Sequence, residues 1–460
     1  MLRILDRFYD FLFPFTCLWA TEFRTLILRP LPDLPLEIWL EIFQWSTYVY
    51  GSTTIEPMHP FTVNHAPTDV MGPNTPILSM RTKCALVRVC RSWRRIAIQI
   101  LYQHIVIRSP SRATLILQVL RDSRSVKSNY GHWTRKIELY THARGANDIR
   151  FLQTVFRIFQ YCHRLRMLSA TWRNVVPREF LDAVTMLYGP TLQGLHWDEQ
   201  KLENTYTSLD FLSSFRSLRL LDLRNFVGDG VVIRAESSPA TLPCLNHIIL
   251  SNHGSNISVA AALKLPALHT LTLQSLVGHP VQVDLVTRLL AAHGSSLTTI
   301  HLPSPSSGSH ADSTQIRTPT QHIPPSLFLR AGVCPNLETL TFGANSPAIA
   351  FEPSVSEPYA HPTLRRIGLY SVRADVLYPS KGPNETQTHL RSFTRAAYPA
   401  LEMVRLVSFL VDADTDSLVK DVFIWWGERF ERDGIDFQDG EGVVWIYEEE
   451  EDPGDNAQGR

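Results

Sequence analysis

Cysteine is scarce: the 460 residues hold six, at positions 17, 84, 90, 162, 244 and 334, with no CxxC pair. That spacing suits neither a zinc site nor a disulfide framework and predicts buried thiols in a reducing compartment, cytoplasmic or nuclear. Cys84 and Cys90 are six apart, which on a helix sets them on different faces, so a shared metal ion is not expected there. Net charge is missing as well, because Lys+Arg and Asp+Glu balance at 44 each. No global field draws the chain to nucleic acid, and a charged partner would have to be recognised locally. The catalytic signatures are absent: no G-x-S-x-G, no phosphate-cradling glycine loop, and no HExxH among the 17 histidines. "DADTDS" starts like a calcium loop, but Ser417 stands where glycine is needed and Phe423 where the closing glutamate is needed. It reads as an acidic helix entry. No catalytic, metal or cofactor residue is predicted, and the chain reads as a non-enzyme.

A long hydrophobic run is lacking too. "FYDFLFPFTCLWA" is interrupted by Asp10 and Pro14 and falls short of the roughly 20 residues a bilayer span needs. Residues 1–30 are expected to form a helical segment packed on the rest, without membrane attachment. From Glu428 to the end there are 12 acidic and 3 basic residues, and 448–460 reads as an acidic, disordered tail.

What the chain does have is a repeat. "CHRLRMLSA", "GPTLQGLHW", "FRSLRLLDL", "LPCLNHIIL", "LPALHTLTL", "GSSLTTIHL", "CPNLETLTF", "HPTLRRIGL" and "YPALEMVRL" each carry apolar residues at i, i+3 and i+5. The first anchors, Leu165, Leu192, Leu218, Leu245, Leu268, Leu297, Leu337, Leu364 and Leu401, are separated by 27, 26, 27, 23, 29, 40, 27 and 37 residues. Most separations fall in or near the range of about 20–29 residues that marks leucine-rich repeats. The long ones hold a Pro/Ser/Thr-rich insertion over 303–325, expected to be disordered, and the segment "LYPSKGPNETQT".

Alternation at i+3 and i+5 predicts a short strand with one buried face. "DIRFLQTVFRIFQYC", "PREFLDAVTMLYG", "VDLVTRLLAAHG" and "HLRSFTRAAYP" precede four of these strands with helical spacing. One helix plus one strand cannot bury its apolar face alone. Stacked units would make an α/β solenoid over 130–447, with parallel strands inside and helices outside. A degenerate first unit is expected at "RKIELY", and a last strand at "VVWIY" after the helix "DSLVKDVFIWWGERFERDG". The concave face would carry the strand residues between the anchors. These are His196, Asp198, Asp222, Arg224, His247, Ser251, Thr270, Thr272, Gln274, Thr299, His301, Thr339, Thr341, Arg366, Tyr370 and Arg405. They are the candidate contacts to a protein substrate.

Residues 31–108 follow a different pattern. "LPDLPLEIWLEIFQWSTYV" enters a helix at Pro32 or Asp33 and spaces Leu34, Ile38, Ile42 and Trp45 along one face. A Pro/Gly/Asn/Thr-rich loop over about 47–80 separates it from a second helix, "KCALVRVCRSWRRIAIQILYQHI". The run from Arg81 to Arg95 has six basic residues and no acid. The arginines border the apolar face at several angles instead of forming one stripe, so nucleic-acid binding is not expected.

"LPLEIWLEIF" followed by "LVRVCRSWRRIA" resembles an F-box. Leu34, Pro35, Glu37, Ile38, Ile42 and Phe43 match the first half of its pattern, and Leu86, Val89, Cys90, Arg91, Trp93, Arg94 and Ile96 the second. The resemblance covers about 60 residues and departs from the family in the length between Phe43 and Leu86, 43 residues. It implies a three-helix module that docks on the Skp-type adaptor of a cullin-RING ubiquitin ligase, with the repeats selecting the substrate. The residues it points to at the adaptor are Leu34, Pro35, Ile38, Ile42, Phe43, Leu86, Val89 and Trp93. The alternative left open is a leucine-rich-repeat interaction scaffold not linked to ubiquitin transfer.

Overall fold

The computed structural model describes residues 34–49, 55, 60–61, 74–125, 129–141, 149–173, 175–199, 210–226, 240–276, 279–303, 322–330, 332–347, 361–378, 384–407, 409–411 and 415–446. The segment 1–30, most of the insertion 303–325 and the tail 448–460 lie outside them. The molecule is α/β, and the twelve strands among the described residues form one parallel sheet in which every strand pairs with its sequence neighbours in the order β1 to β12. The strands are β1 His104–Ile107, β2 Lys136–Tyr140, β3 Met167–Trp172, β4 Gly194–Glu199, β5 Leu220–Asp222 and β6 His247–Ser251. They continue as β7 Thr270–Gln274, β8 Thr299–Leu302, β9 Thr339–Gly343, β10 Arg366–Tyr370, β11 Met403–Leu406 and β12 Asp436–Gln438.

The repeat motif has a physical cause at each position. The nine leucine anchors are all buried. Before the strand, the N–H groups of Leu165, Leu218, Leu268, Leu297, Leu337 and Leu401 each donate to the carbonyl three residues back, closing a turn. The next residue joins the ladder: the N–H of Arg166 donates to the carbonyl of Arg135, Gln193 to Arg166, Arg219 to Gln193 and Asn246 to Arg219. The i+3 positions then form one continuous buried row, from Ile105 and Ile137 through Leu168, Leu195, Leu221, Ile248, Leu271, Ile300, Leu340, Ile367 and Val404 to Phe437. No branched or long polar side chain could enter that row without leaving an unpaired group in the core.

Helices cross over between the strands, as parallel pairing requires. With α1 Leu36–Ser46, α2 Pro76–Val89 and α3 Arg91–Gln103 preceding the sheet, they are α4 Pro110–Ser125, α5 Ile149–Tyr161, α6 Arg178–Tyr188, α7 Gly254–Ala262 and α8 Val283–His293. After these come α9 Ala374–Leu377, α10 Glu385–Ser392 and α11 Ser417–Glu431. Between β4 and β5 the described residues hold only the 3-10 turn Asp210–Ser214. An aromatic file fills this thin place, Trp172 to Trp197 at 5.3 Å and Trp197 to Phe211 at 5.0 Å between ring centroids.

Several expectations are corrected. The sheet begins at His104, inside the segment read as the first module and well before residue 130, because "HIVI" pairs with "KIEL". The last strand is Asp436–Gln438; Val443, Val444 and Ile446 of "VVWIY" are exposed and outside any strand, since the turn after β12 has already left the sheet edge. The helix before Leu401 ends at Ser392, and "TRAAYP" forms turns. The insertion is shorter than 303–325, for His322, Ile323, Pro325 and Leu327 are buried. Of the thiols expected to be buried, Cys162 and Cys334 are, whereas Cys244 is exposed and Cys84 and Cys90 are half-buried.

The "KCALVRVCRSWRRIA" segment is also two helices. Cys90 adopts an extended backbone (φ −158°, ψ 173°) between α2 and α3, and its Sγ accepts the N–H of Trp93 as an N-cap. Helix α2 starts at Pro76 with Thr75 as its cap, so the loop after α1 ends sooner than residue 80.

Candidate functional site

Two surfaces stand out, one on the three N-terminal helices and one on the sheet. Helices α1, α2 and α3 meet around an aromatic triad, with Phe43 and Trp93 at 4.8 Å, Trp39 and Trp93 at 5.2 Å, and Trp39 and Phe43 at 5.8 Å between centroids. Ser79 Oγ donates to the carbonyl of Thr47 at 2.6 Å and Asn74 Nδ2 to that of Ser46 at 3.0 Å, locking the start of α2 to the end of α1.

Helix α1 carries apolar side chains on two sides. Trp39, Leu40 and Phe43 point to the core, while Leu34, Ile38, Ile42 and Trp45 are exposed. Leu36, Ile77 and Leu78 add to the same apolar exposure, which reaches 68% at Trp45 and 62% at Leu36. Burying each of these side chains would be worth about 1.5–3 kcal/mol.

Among the residues the resemblance points to, Leu34, Pro35, Ile38, Ile42 and Val89 are exposed. Phe43 is 1% exposed and belongs to the core, and Leu86 and Trp93 are half-buried against it. Val89 and Ile96 are on different helices: Val89 is exposed on α2 and Ile96 buried on α3.

The second surface is the sheet face opposite the apolar rows. The register aligns one residue of every strand across it: Val106, Glu138, Ser169, His196, Asp222, Ile249, Thr272, His301, Thr341, Gly368, Arg405 and Gln438. Spacing alone had picked out His196, Asp222, Thr272, His301, Thr341 and Arg405 of this row, and the ladder brings them together. His247, Thr270, Thr299, Thr339 and Arg366 form the neighbouring row, and Asp198, Ser251, Gln274 and Tyr370 lie on the far side.

Polar side chains here bond mostly to each other. Asp222 is buried and accepts from His196 Nδ1 at 2.8 Å and from Arg224 Nη2 at 2.8 Å. Burial pushes its carboxyl up, but the hydrogen bonds from His196 and Arg224 outweigh that and hold it at about 2. Arg224 Nη1 also reaches Gln274 Oε1 at 3.3 Å, and Thr171 Oγ1 donates to Asp198 at 3.4 Å. His247 Nε2 lies 2.9 Å from Thr272 Oγ1, and burial lowers its pKa to about 4, so it is neutral at pH 7. His301 Nδ1 lies 2.9 Å from Thr341 Oγ1.

A second cluster on β1 and β2 escaped the sequence reading. Glu138 bonds His104 at 3.2 Å and Lys136 at 3.0 Å, and these contacts overcome its burial to hold the carboxyl at about 2. The only signal for it was the alternation in "HIVI" and "RKIELY".

Two further residues come from the loop between α1 and α2. Phe61 packs at Gly368, with the Arg405 guanidinium 5.3 Å above its ring, and Ile55 lies near Gly194. An aromatic side chain inside a Pro/Thr-rich polar loop was the signal that could have found Phe61.

The described residues contain no cluster of three His, Cys, Asp or Glu side chains able to hold a metal ion, and none of their helices is long and apolar enough to cross a membrane. Asp416, the fifth residue of the failed calcium-loop pattern, caps α11 by accepting the N–H of Leu418 at 2.9 Å. The helical face presents exposed apolar side chains, whereas Asp222, His247, His301, Thr341 and Arg405 of the sheet face are buried. Comparison with family models and with curated proteins finds no match for the chain.

Proposed function

We propose that the protein is a non-catalytic substrate receptor of an SCF-type cullin-RING ubiquitin ligase. In this reading α1 to α3 are an F-box that docks on a Skp-type adaptor, and the sheet belongs to a leucine-rich-repeat solenoid whose polar face holds a protein substrate. The observation that carries it is the apolar exposure of these helices: Leu34, Ile38, Ile42 and Trp45 at and along α1, and Ile77, Leu78 and Val89 of α2, are all exposed. Stable docking needs about 1,600 Å² of total buried surface, which three short helices with such an apolar face can supply.

The mechanism is positional. One end of the chain binds the ligase and the other holds the substrate, raising the effective concentration of substrate lysines near the catalytic partner. The chain itself then contributes no acid, base or nucleophile.

A pull-down of the full chain with the Skp-type adaptor tests this. The double variant Leu34→Asp plus Ile38→Asp should cut retention at least about tenfold with an unchanged melting temperature, because both side chains are exposed. Retention unaffected by the pair, or no binding by the wild type, would leave a repeat-based interaction scaffold outside ubiquitin transfer.

A further inference from the structure

The loop between α1 and α2 has no role in adaptor docking as read above, yet two of its residues reach the sheet's polar face far apart. A Cβ built at Gly194, on β4, would meet Ile55 Cγ2 at 3.6 Å. A Cβ at Gly368, on β10, would meet Thr341 Cγ2 at 2.8 Å, Val407 Cγ2 at 2.9 Å and Phe61 Cζ at 3.2 Å. Six strand steps separate β4 from β10. A short stretch of one loop therefore touches both halves of the face.

The seat of Phe61 has the chemistry of a recognition pocket. Gly368 is the one glycine in the central row, and its missing side chain makes the notch. Thr341 and Val407 wall it, and Arg405 lies over the ring. Arg405 is 3% exposed; its Nε and Nη2 donate to Gln438 Oε1 at 3.1 and 2.6 Å, which fixes the guanidinium plane. A cation held this way gains from an aromatic face once water is excluded. An aliphatic side chain would fill the space without that gain, so the notch selects an aromatic ring. Phe61, itself 9% exposed, fills it.

We propose that the notch at Gly368 and Arg405 is an aromatic-binding pocket for a protein partner, occupied in cis by Phe61 as a tethered competitor. A partner docks with an aromatic side chain on an extended segment and must first displace Phe61. Because the loop is joined to the chain at both ends, its local concentration is about millimolar, and only a tighter or multivalent segment wins. The inference rests on the sheet face as the recognition surface and is independent of adaptor docking.

The test uses the full chain and a fluorescein-labelled synthetic peptide of residues 51–66, followed by fluorescence anisotropy. Phe61→Ala should bind this peptide at least about tenfold more tightly than wild type, since its own competitor is gone. Adding Gly368→Val to Phe61→Ala should abolish the gain, and a peptide carrying F61A should not bind either chain. Adaptor pull-down by Phe61→Ala should match wild type, which separates failure here from failure of the ligase reading. Where Phe61→Ala lowers the melting temperature, Phe61→Leu serves with the same probe and should show a smaller gain. Equal peptide binding by wild type and variant overturns the proposal. So does loss of folded protein in both variants, which would make Phe61 a structural core residue.

Discussion

Buried ionisable side chains on the polar face tie stability to pH, one residue at a time. His247 has its pKa lowered to about 4 by burial, against about 6.5 in an unfolded chain. Its contribution is therefore complete above about pH 6.5 and is lost as pH falls towards 4, where the unfolded chain takes up a proton that the folded one refuses. The shift corresponds to about 3 kcal/mol. Urea unfolding at pH 7 and 4.5 should show a shallower loss for His247→Gln than for wild type, and identical slopes would rule this out. Asp222 behaves likewise lower down. With its carboxyl held at about 2, its contribution is present above about pH 4 and disappears between 4 and 2. Asp222→Asn should cost about 1–3 kcal/mol at pH 7 and be close to wild type near pH 2, as measured by the same unfolding curves.

Elements show what a sequence pattern can and cannot disclose. The i, i+3, i+5 motif located β3 to β11 because each apolar position is buried by the same turn and ladder, as at Leu268, Leu271 and Leu273. The helices α5, α6 and α8 were legible for the same reason, an apolar stripe against the sheet. Helix α1 marks a limit of such patterns, since the spacing of Leu34, Ile38, Ile42 and Trp45 reports an apolar face without disclosing that Trp39, Leu40 and Phe43 are the side chains that turn inward. The break at Cys90 was hidden because the apolar spacing runs on through it from Leu86 to Ile96. A thiol capping Trp93 at 3.5 Å is a weak acceptor. Cys90→Ser should hold the cap as well or better, changing stability by no more than about 1 kcal/mol in the stabilising direction, with a thermal melt as the check. Thr75→Ala, which removes the Oγ1 acceptor 3.2 Å from the Leu78 N–H, should cost about 1 kcal/mol. Phe61 was out of reach, because its partners Gly368 and Arg405 are 307 and 344 residues further along the chain and no periodicity links them.

At the scale of the whole molecule, every strand leans on its neighbours. The row from Ile105 to Phe437 is unbroken, so a cavity anywhere weakens the units on both sides. Leu271→Ala, in the middle of that row, should destabilise the chain by about 2–5 kcal/mol, measured by denaturant midpoint. At the far end α11 and β12 cover β11, with Trp426 Nε1 donating to the carbonyl of Leu377 at 3.1 Å and Phe437 stacked on Phe430 at 5.1 Å. Ending the chain at 411 would bare that edge and its apolar side chains, and the truncated protein should elute as aggregates in size-exclusion chromatography. Sheet order was legible in the sequence because neighbours in the chain are neighbours in space; the seats of Ile55 at Gly194 and Phe61 at Gly368 were not, because those contacts cross that order.

Strictly sequential pairing also sets how the protein would respond to being pulled. A force applied at the two ends loads the terminal units first, so the sheet should peel in steps instead of rupturing at once. A unit of 27 residues would release about 90–100 Å of contour length. Ile55 and Phe61, seated at β4 and β10, would act as a tie across six strand steps of the sheet, stiffening the span between them until Phe61 leaves its notch.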